Sequence, residues 1–193
     1  SVFPFPIHDR LAAEEEANRL GAELAGKRSD KASLYSLSAP TLQRIPKGTR
    51  LVLPSPNGSH ISFAAREKAV ISGCLRNASA VARAATDLVG DGTVAVIPAG
   101  ERWKDGSLRP AIEDLLGAGA IISELQGALS AEALTARGAF QSARTDLANR
   151  LKSSVSGVEL RESGFPQDVE IALALNVSST VPILTDGAFV AVG

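Results

Sequence analysis

The sequence predicts an α/β protein: a mainly parallel sheet covered by helices, closed by a short C-terminal β hairpin. Three observations predict it. Short apolar runs at 51–54, 69–73 and 93–99 are strand-sized, and helix-patterned segments with brief turns separate them, the rhythm of parallel strands joined by helical crossovers. The tail VPILTDGAFVAVG sets two β-type runs around Asp186-Gly187, a hairpin signal. The helical segments are rich in alanine and aromatic residues make up only 4% of the chain, which favours close helix-on-sheet packing. A chain of 193 residues fits one such domain with a sizeable core, and a sub-domain boundary is expected near 126–157.

Taken in order, Asp9 is placed to cap a helix over LAAEEEANRLGAELAG, with Leu11, Leu20 and Leu24 on one face and Gly26 as its stop. The stretch 27–48 holds Pro40, Pro46 and scattered serines and reads as loop with at most one short strand. LVLP at 51–54 is a buried strand, SPNGS a turn, and a helix follows from Ser59 to about Lys68. AVISG at 69–73 is the next strand. Asn77 or Ser79 then caps the helix ASAVARAATDLV, whose Val81, Ala84, Ala85 and Leu88 share a face. Asp91-Gly92 turns into the buried strand TVAVIPA, and helices are expected over 110–125, with Pro110 in the first turn, and over 130–152. A short helix over FPQDVEIALALN precedes the hairpin.

Composition excludes several classes. Twenty basic residues balance 21 acidic ones, so no global field draws in nucleic acid or an anionic membrane, and any anion site must be local. The apolar runs are far short of the roughly 20 residues that span a bilayer. A lone cysteine, Cys74, rules out an internal disulfide and fits a reducing, cytoplasmic setting. It follows a strand-like run and is expected as a small buried hydrophobe. His8 and His60 are far apart with no cysteine partners, so zinc is not expected.

The chemistry-bearing residues gather where strand ends feed polar loops, the usual place for ligand sites in open α/β sheets. After the strand ending at Pro98-Ala99-Gly100 come Glu101, Arg102, Asp105 and Arg109, then Glu113 and Asp114 in a helix's first turn. Glu101, Glu113 and Asp114 are candidate catalytic carboxylates, and Glu101 and Asp114 the candidate ligands of Mg²⁺, which prefers oxygen donors and is usually held by one or two carboxylates plus phosphate oxygens. The competing reading is a solvated loop charge at Glu101 and simple helix-dipole complementarity at Glu113 and Asp114.

Asn57, Gly58 and Ser59, preceded by Ser55, form a second group, since amides at a helix start bond phosphate oxygens. The competing reading is a plain helix-capping turn, which the letters N-G-S alone favour, and no Walker-type Gly-x-x-x-x-Gly-Lys is present. Arg76 and Asn77 form a third. An arginine fork matches phosphate or sulfonate oxygens bidentately, and Arg76, Arg102 and Arg109 are the cations available for a substrate carrying two acidic groups. Asp168 either faces the site or caps its own helix, while Trp103 and Phe165 either line a pocket or pack.

Four stretches resemble one family: GERWKDGSLRPAIEDLLGAGAI after the third strand, LVLPSPNGSHIS at 51–62, SGCLRNASAVA at 72–82, and ESGFPQDVEIALALNVSSTVPIL at 162–184. Together they are similar to the 2-phosphosulfolactate phosphatases, the ComB-like proteins. The resemblance implies an Mg²⁺-dependent phosphomonoesterase acting on a 2-phospho-3-sulfolactate-like ester, a step of coenzyme M biosynthesis. Its partner is then a small phosphorylated acid, with a second copy of the chain as a further candidate. Members of the family open on a strand and loop resembling D-V-L-R/S-x-x-T-T/S, whereas this chain opens on SVFPFPIHDRL. The chain is therefore expected to lack its N-terminal strand and loop. The alternatives are a non-catalytic anion-binding or structural α/β module, and a phosphatase of the same family with another substrate.

Overall fold

The computed structural model describes residues 1–6 and 10–192; Asp9, expected to cap the first helix, and His8 lie outside the described residues. The chain forms two compact units, Ser1–Val70 with Pro182–Val192, and Ile71–Val181. The boundary expected near 126–157 falls inside the second unit.

The first unit carries the larger sheet, an α/β arrangement with parallel strands and an antiparallel C-terminal pair. Its strands are β1 (Val2–Pro6), β2 (Glu23–Leu24), β3 (Leu51–Ser55), β6 (Val181–Thr185) and β7 (Ala188–Val192), in the order β2-β3-β1-β7-β6. β1 runs parallel to β3 from Val2↔Leu51 to Pro6↔Ser55, and β2 parallel to β3. The middle strand is thus VFPFP, which sequence reasoning passed over because proline argues against a central strand. The sheet tolerates Pro4 and Pro6 because β1 meets β7 only at Val2↔Phe189, so neither proline is asked for an N–H on that side.

Two expected strands are not strands. Residues 69–74 run extended with one bridge residue, Ile71, and the Val70 carbonyl accepts from the Leu184 N–H at 2.9 Å. Residues 93–99 carry no strand, and the segment is not buried: Val94 and Val96 turn halfway inward while Ile97 is 60% exposed. Period-two apolar patterning gives that alternation without supplying a ladder partner, and Pro98 offers no donor.

Helix α1 (Arg10–Leu20) stops at Gly21, not at the expected Gly26. Gly21 has φ +57°, its N–H bonds the Asn18 carbonyl at 3.1 Å, and the Ala22 N–H bonds the Ala17 carbonyl at 2.9 Å. That is the paired closure of a helix ending on a left-handed glycine. The buried face is Ala13 and Ala17, while Leu11 is exposed. Helices α2 (Ala39–Leu42) and α3 (Gly58–Ala64) complete the unit, whose small core centres on Ala25, Tyr35 and Leu51.

The second unit is helical around a two-strand ribbon. Its helices are α4 (Ala78–Val89), α5 (Ile112–Glu124), α6 (Ala131–Ala143), α7 (Leu147–Lys152), α8 (Val155–Glu162) and α9 (Pro166–Ala172), and its strands β4 (Glu101–Arg102) and β5 (Leu108–Arg109). The helix expected over 130–152 starts at its Ser130 cap, whose Oγ accepts from the Ala133 N–H, but a 3-10 turn at Arg144–Asp146 divides it. Pro110 lies just before the Ala111 cap of α5 instead of inside its first turn. On α4 the buried positions Ala78, Val81, Ala82 and Ala85 repeat at helical spacing, and the expected Leu88 is exposed. Ala78, Val81 and Ala82 join Leu75, Leu116, Ile121, Phe140 and Leu151 in one core. Cys74, expected buried, is exposed, because the chain there is fully extended before a 3-10 turn at Leu75–Asn77.

Candidate active site

The polar loop after Gly100 is a β ribbon. β4 and β5 pair antiparallel with Glu101↔Arg109 and Arg102↔Leu108 in register, so Glu101 and Arg109 are cross-strand neighbours whose side chains share a face. The connection is fixed locally. The Asp105 carboxylate accepts from the Ser107 N–H at 2.9 Å and its hydroxyl at 2.6 Å, bonds that hold it below the usual carboxylate range, the hydroxyl contributing most. Gly106, at φ +84°, supplies the turn's left-handed residue.

Arg109 is the centre of this region. It is only 6% exposed. Its Nη2 donates to Ser156 Oγ at 3.2 Å and lies 3.4 Å from Glu159 Oε2 and 3.9 Å from Glu101 Oε2. The guanidinium carbon sits 5.5 Å from the centre of the Trp103 ring, within the range of a cation–π contact. Among the described residues Nη1, which is buried, has no hydrogen-bond partner.

Asp114, half-buried in the first turn of α5, stands within electrostatic reach of Glu101. Burial is the main cause that pushes its carboxyl up to about 6; the Glu113 and Glu101 charges add to it, and the Gly100 backbone hydrogen bond opposes. Glu101 thus has two neighbours, paired with Arg109 and within electrostatic reach of Asp114, which Glu113 also reaches. Arg102 is exposed, and its Nη1 donates back to the Gly106 carbonyl at 2.8 Å, serving the ribbon turn.

The other groups are used differently. Asn77 is 7% exposed; its Oδ1 accepts from the Cys74 N–H at 2.8 Å, and its Nδ2 donates to the Ser72 and Thr180 carbonyls. Its side chain is a backbone brace. The cap expected on α4 from Asn77 or Ser79 comes instead from Asn176, whose Oδ1 accepts from the Ser79 N–H at 2.9 Å. Arg76 donates from Nη1 to the Ile171 carbonyl at 2.7 Å, tying α9 to the same brace. Asn57, Gly58 and Ser59 lie in the first unit, where Asn57 precedes α3 without a side-chain capping bond and the buried Ser59 hydroxyl bonds the Leu53 carbonyl. Asp168 is buried on α9.

Sequence reasoning missed Ser156 and Glu159. They stand three residues apart on one face of α8, but nothing local to their serine- and glycine-rich segment marks an arginine 47 residues away.

Among the described residues no three His, Cys, Asp or Glu side chains converge on a metal position. The ribbon's Glu101 and the Asp114 of α5 offer hard carboxylate oxygen, donors of the kind suited to Mg²⁺, which keeps most of its waters and needs only one or two such ligands. Among the described residues no helix is long and apolar enough to cross a membrane.

Comparison with known proteins gives the class of the protein: a phosphoric monoester hydrolase. The sequence model of the 2-phosphosulpholactate phosphatase family matches residues 2–187, and the chain belongs to that family. A 2-phosphosulfolactate phosphatase of Methanothermobacter thermautotrophicus is 33% identical over 183 residues, 94% of this chain and 76% of the relative. A probable 2-phosphosulfolactate phosphatase of Pseudothermotoga lettingae is 29% identical over 145 residues, 75% of this chain and 61% of the relative. Another, of Caldanaerobacter subterraneus subsp. tengcongensis, is 29% identical over 173 residues, 85% of this chain and 69% of the relative.

Proposed function

We propose that this chain takes part in Mg²⁺-dependent hydrolysis of a small acidic phosphomonoester, with 2-phosphosulfolactate as its substrate. The observation that carries the reading is Glu101, whose charge reaches the Asp114 carboxyl and which pairs with the buried Arg109. The names of the relatives supply the substrate. The single cysteine fits a reducing compartment, and a cytoplasmic setting is part of the proposal.

Glu101 and Asp114 would hold Mg²⁺. Bound there, the ion would neutralise phosphoryl charge as it develops. Arg109 binds and orients one acidic group of the substrate, because its planar guanidinium matches oxyanion geometry and is already fixed in place. The Trp103 ring shields one face of that guanidinium from water, which strengthens the contact. Glu113, adjacent to Asp114, disfavours a second negative charge and so favours occupation of the site by a cation.

Hydrolysis of 2-phosphosulfolactate and of a simple phosphomonoester, measured with Mg²⁺ and with chelator, tests this. Glu101→Gln and Asp114→Asn are each expected to lower turnover by about 100-fold, at the low end of what such groups contribute, and the Mg²⁺ requirement should weaken with them. Equal rates in both variants and wild type would overturn the assignment. Phosphate binding without turnover would favour the non-catalytic module, and faster turnover of another phosphoester a family phosphatase of different specificity.

A further inference from the structure

Among the described residues Nη1 of Arg109 has no hydrogen-bond partner, while Nη2 of the same guanidinium is bonded and ion-paired. A buried donor left without an acceptor is destabilising, and such a group in a native protein calls for something that completes it. Arginine is suited to this because its planar fork holds one edge while presenting the other. Here the held edge is Nη2, bonded by Ser156 and flanked by Glu159, and the flat face rests on Trp103.

The platform is stiff. Ser154 caps α8 by accepting from the Gly157 N–H at 3.1 Å. Gly157, between Ser156 and Glu159 in sequence, packs so closely that an added Cβ would meet the Leu151 and Lys152 carbonyls, the latter at 3.1 Å. The helix therefore presents its polar face from a fixed position.

We propose that Ser156 and Glu159 of α8 are positioning residues, holding the Arg109 guanidinium by one edge so that its buried Nη1 edge receives an oxyanion oxygen of the substrate. The assignment rests on the reading of Arg109 as a contact for a phosphorylated acid. Phosphoryl and sulfonate groups share the chemistry, three oxygens on a tetrahedral centre, and either could supply that oxygen.

Trp103 is the only tryptophan in the chain, so its emission reports this site. Titrating the full chain with inorganic phosphate and, separately, with methanesulfonate is expected to give a saturable emission change, the tighter probe naming the group recognised. Ser156→Ala should weaken binding about fivefold, the loss of one ordinary hydrogen bond. Glu159→Gln should weaken it as well. That direction is decisive: were Glu159 only a nearby negative charge, removing it would tighten anion binding. Glu162→Gln, which removes the same charge from an exposed position on α8, is the control and should not weaken it.

In turnover, Ser156→Ala and Glu159→Gln should raise KM with kcat nearly unchanged. Phosphate and methanesulfonate both failing to move the wild-type emission would overturn the proposal. So would unchanged or tighter binding in Ser156→Ala and Glu159→Gln with wild-type melting curves; Glu159 is exposed enough that its variant will fold even if Ser156→Ala does not. A wild-type chain that binds oxyanions in this way without hydrolysing phosphoesters would defeat the functional reading and leave this one standing.

Discussion

Asp114 shows how a single residue trades stability for a site. Its carboxyl is raised from an ordinary 3.8 to about 6, so the folded state binds a proton more tightly than the unfolded state does. The stability this gives is complete below about pH 4 and is lost as pH rises through about 6. At neutral pH the ionised group is thus a liability in metal-free protein, of about 1–2 kcal/mol once its partial exposure is allowed for. Asp114→Asn should therefore raise the metal-free melting temperature at pH 7 and flatten the stability profile between pH 4 and 6. Mg²⁺ should stabilise wild type and do little for the variant. Melting curves over that range, with and without Mg²⁺, check both statements. Arg109 poses the opposite case: Ser156, Glu159 and Glu101 surround its guanidinium with acceptors.

At the scale of elements, close approach between α5 and α6 is set by small residues. Gly119 faces the Ala136 carbonyl so closely that a Cβ would collide with it, and the Phe140 Cβ would lie 2.8 Å away. Gly119→Ala should destabilise by about 1–3 kcal/mol despite alanine's better helix propensity, because overpacking against backbone has no cheap relief. A gain in stability in denaturant titrations would mean that the helices can part. The C-terminal hairpin makes a second case. Asp186 and Gly187 have φ of 51° and 78°, the two left-handed residues of a type I′ turn, which matches the twist of β6 and β7. Gly187→Val should cost at least about 1 kcal/mol, read as a lower denaturation midpoint. The Asp-Gly pair made this turn legible in the sequence. The end of α1 was less so, since Gly21 and Gly26 both offer a stop and only the bonds to Ala17 and Asn18 select the first.

At the scale of the molecule, each unit closes its own core, Leu51 and Tyr35 in one, Leu116 and Phe140 in the other. Leu51 and Leu116 are each 2% exposed, and truncating either to alanine should cost about 2–5 kcal/mol. The losses should be local: Leu116→Ala should reduce amide protection mainly in α4, α5 and α6, and Leu51→Ala mainly in β1 and β3. Hydrogen exchange that loosened both units equally in either variant would show one cooperative core.

What the sequence determined by itself is what short-range physics controls. Helical periodicity marked α4, α5 and α6, serine marked the cap of α6, Asp-Gly marked the hairpin, and the run from Glu101 to Asp114 grouped the site carboxylates with Arg109 because a ribbon and a helix start bring near neighbours together. Tertiary structure decided what depends on partners far along the chain. Proline-bearing VFPFP became the middle strand because β3 lies beside it; 93–99 stayed out of the sheets for want of a ladder partner. Asn77 became a brace because Thr180 reaches it, and Arg109 became a clamped cation because α8 folds back over it. Those contacts join residues about 50 to 190 positions apart, and no local pattern encodes which distant group will arrive.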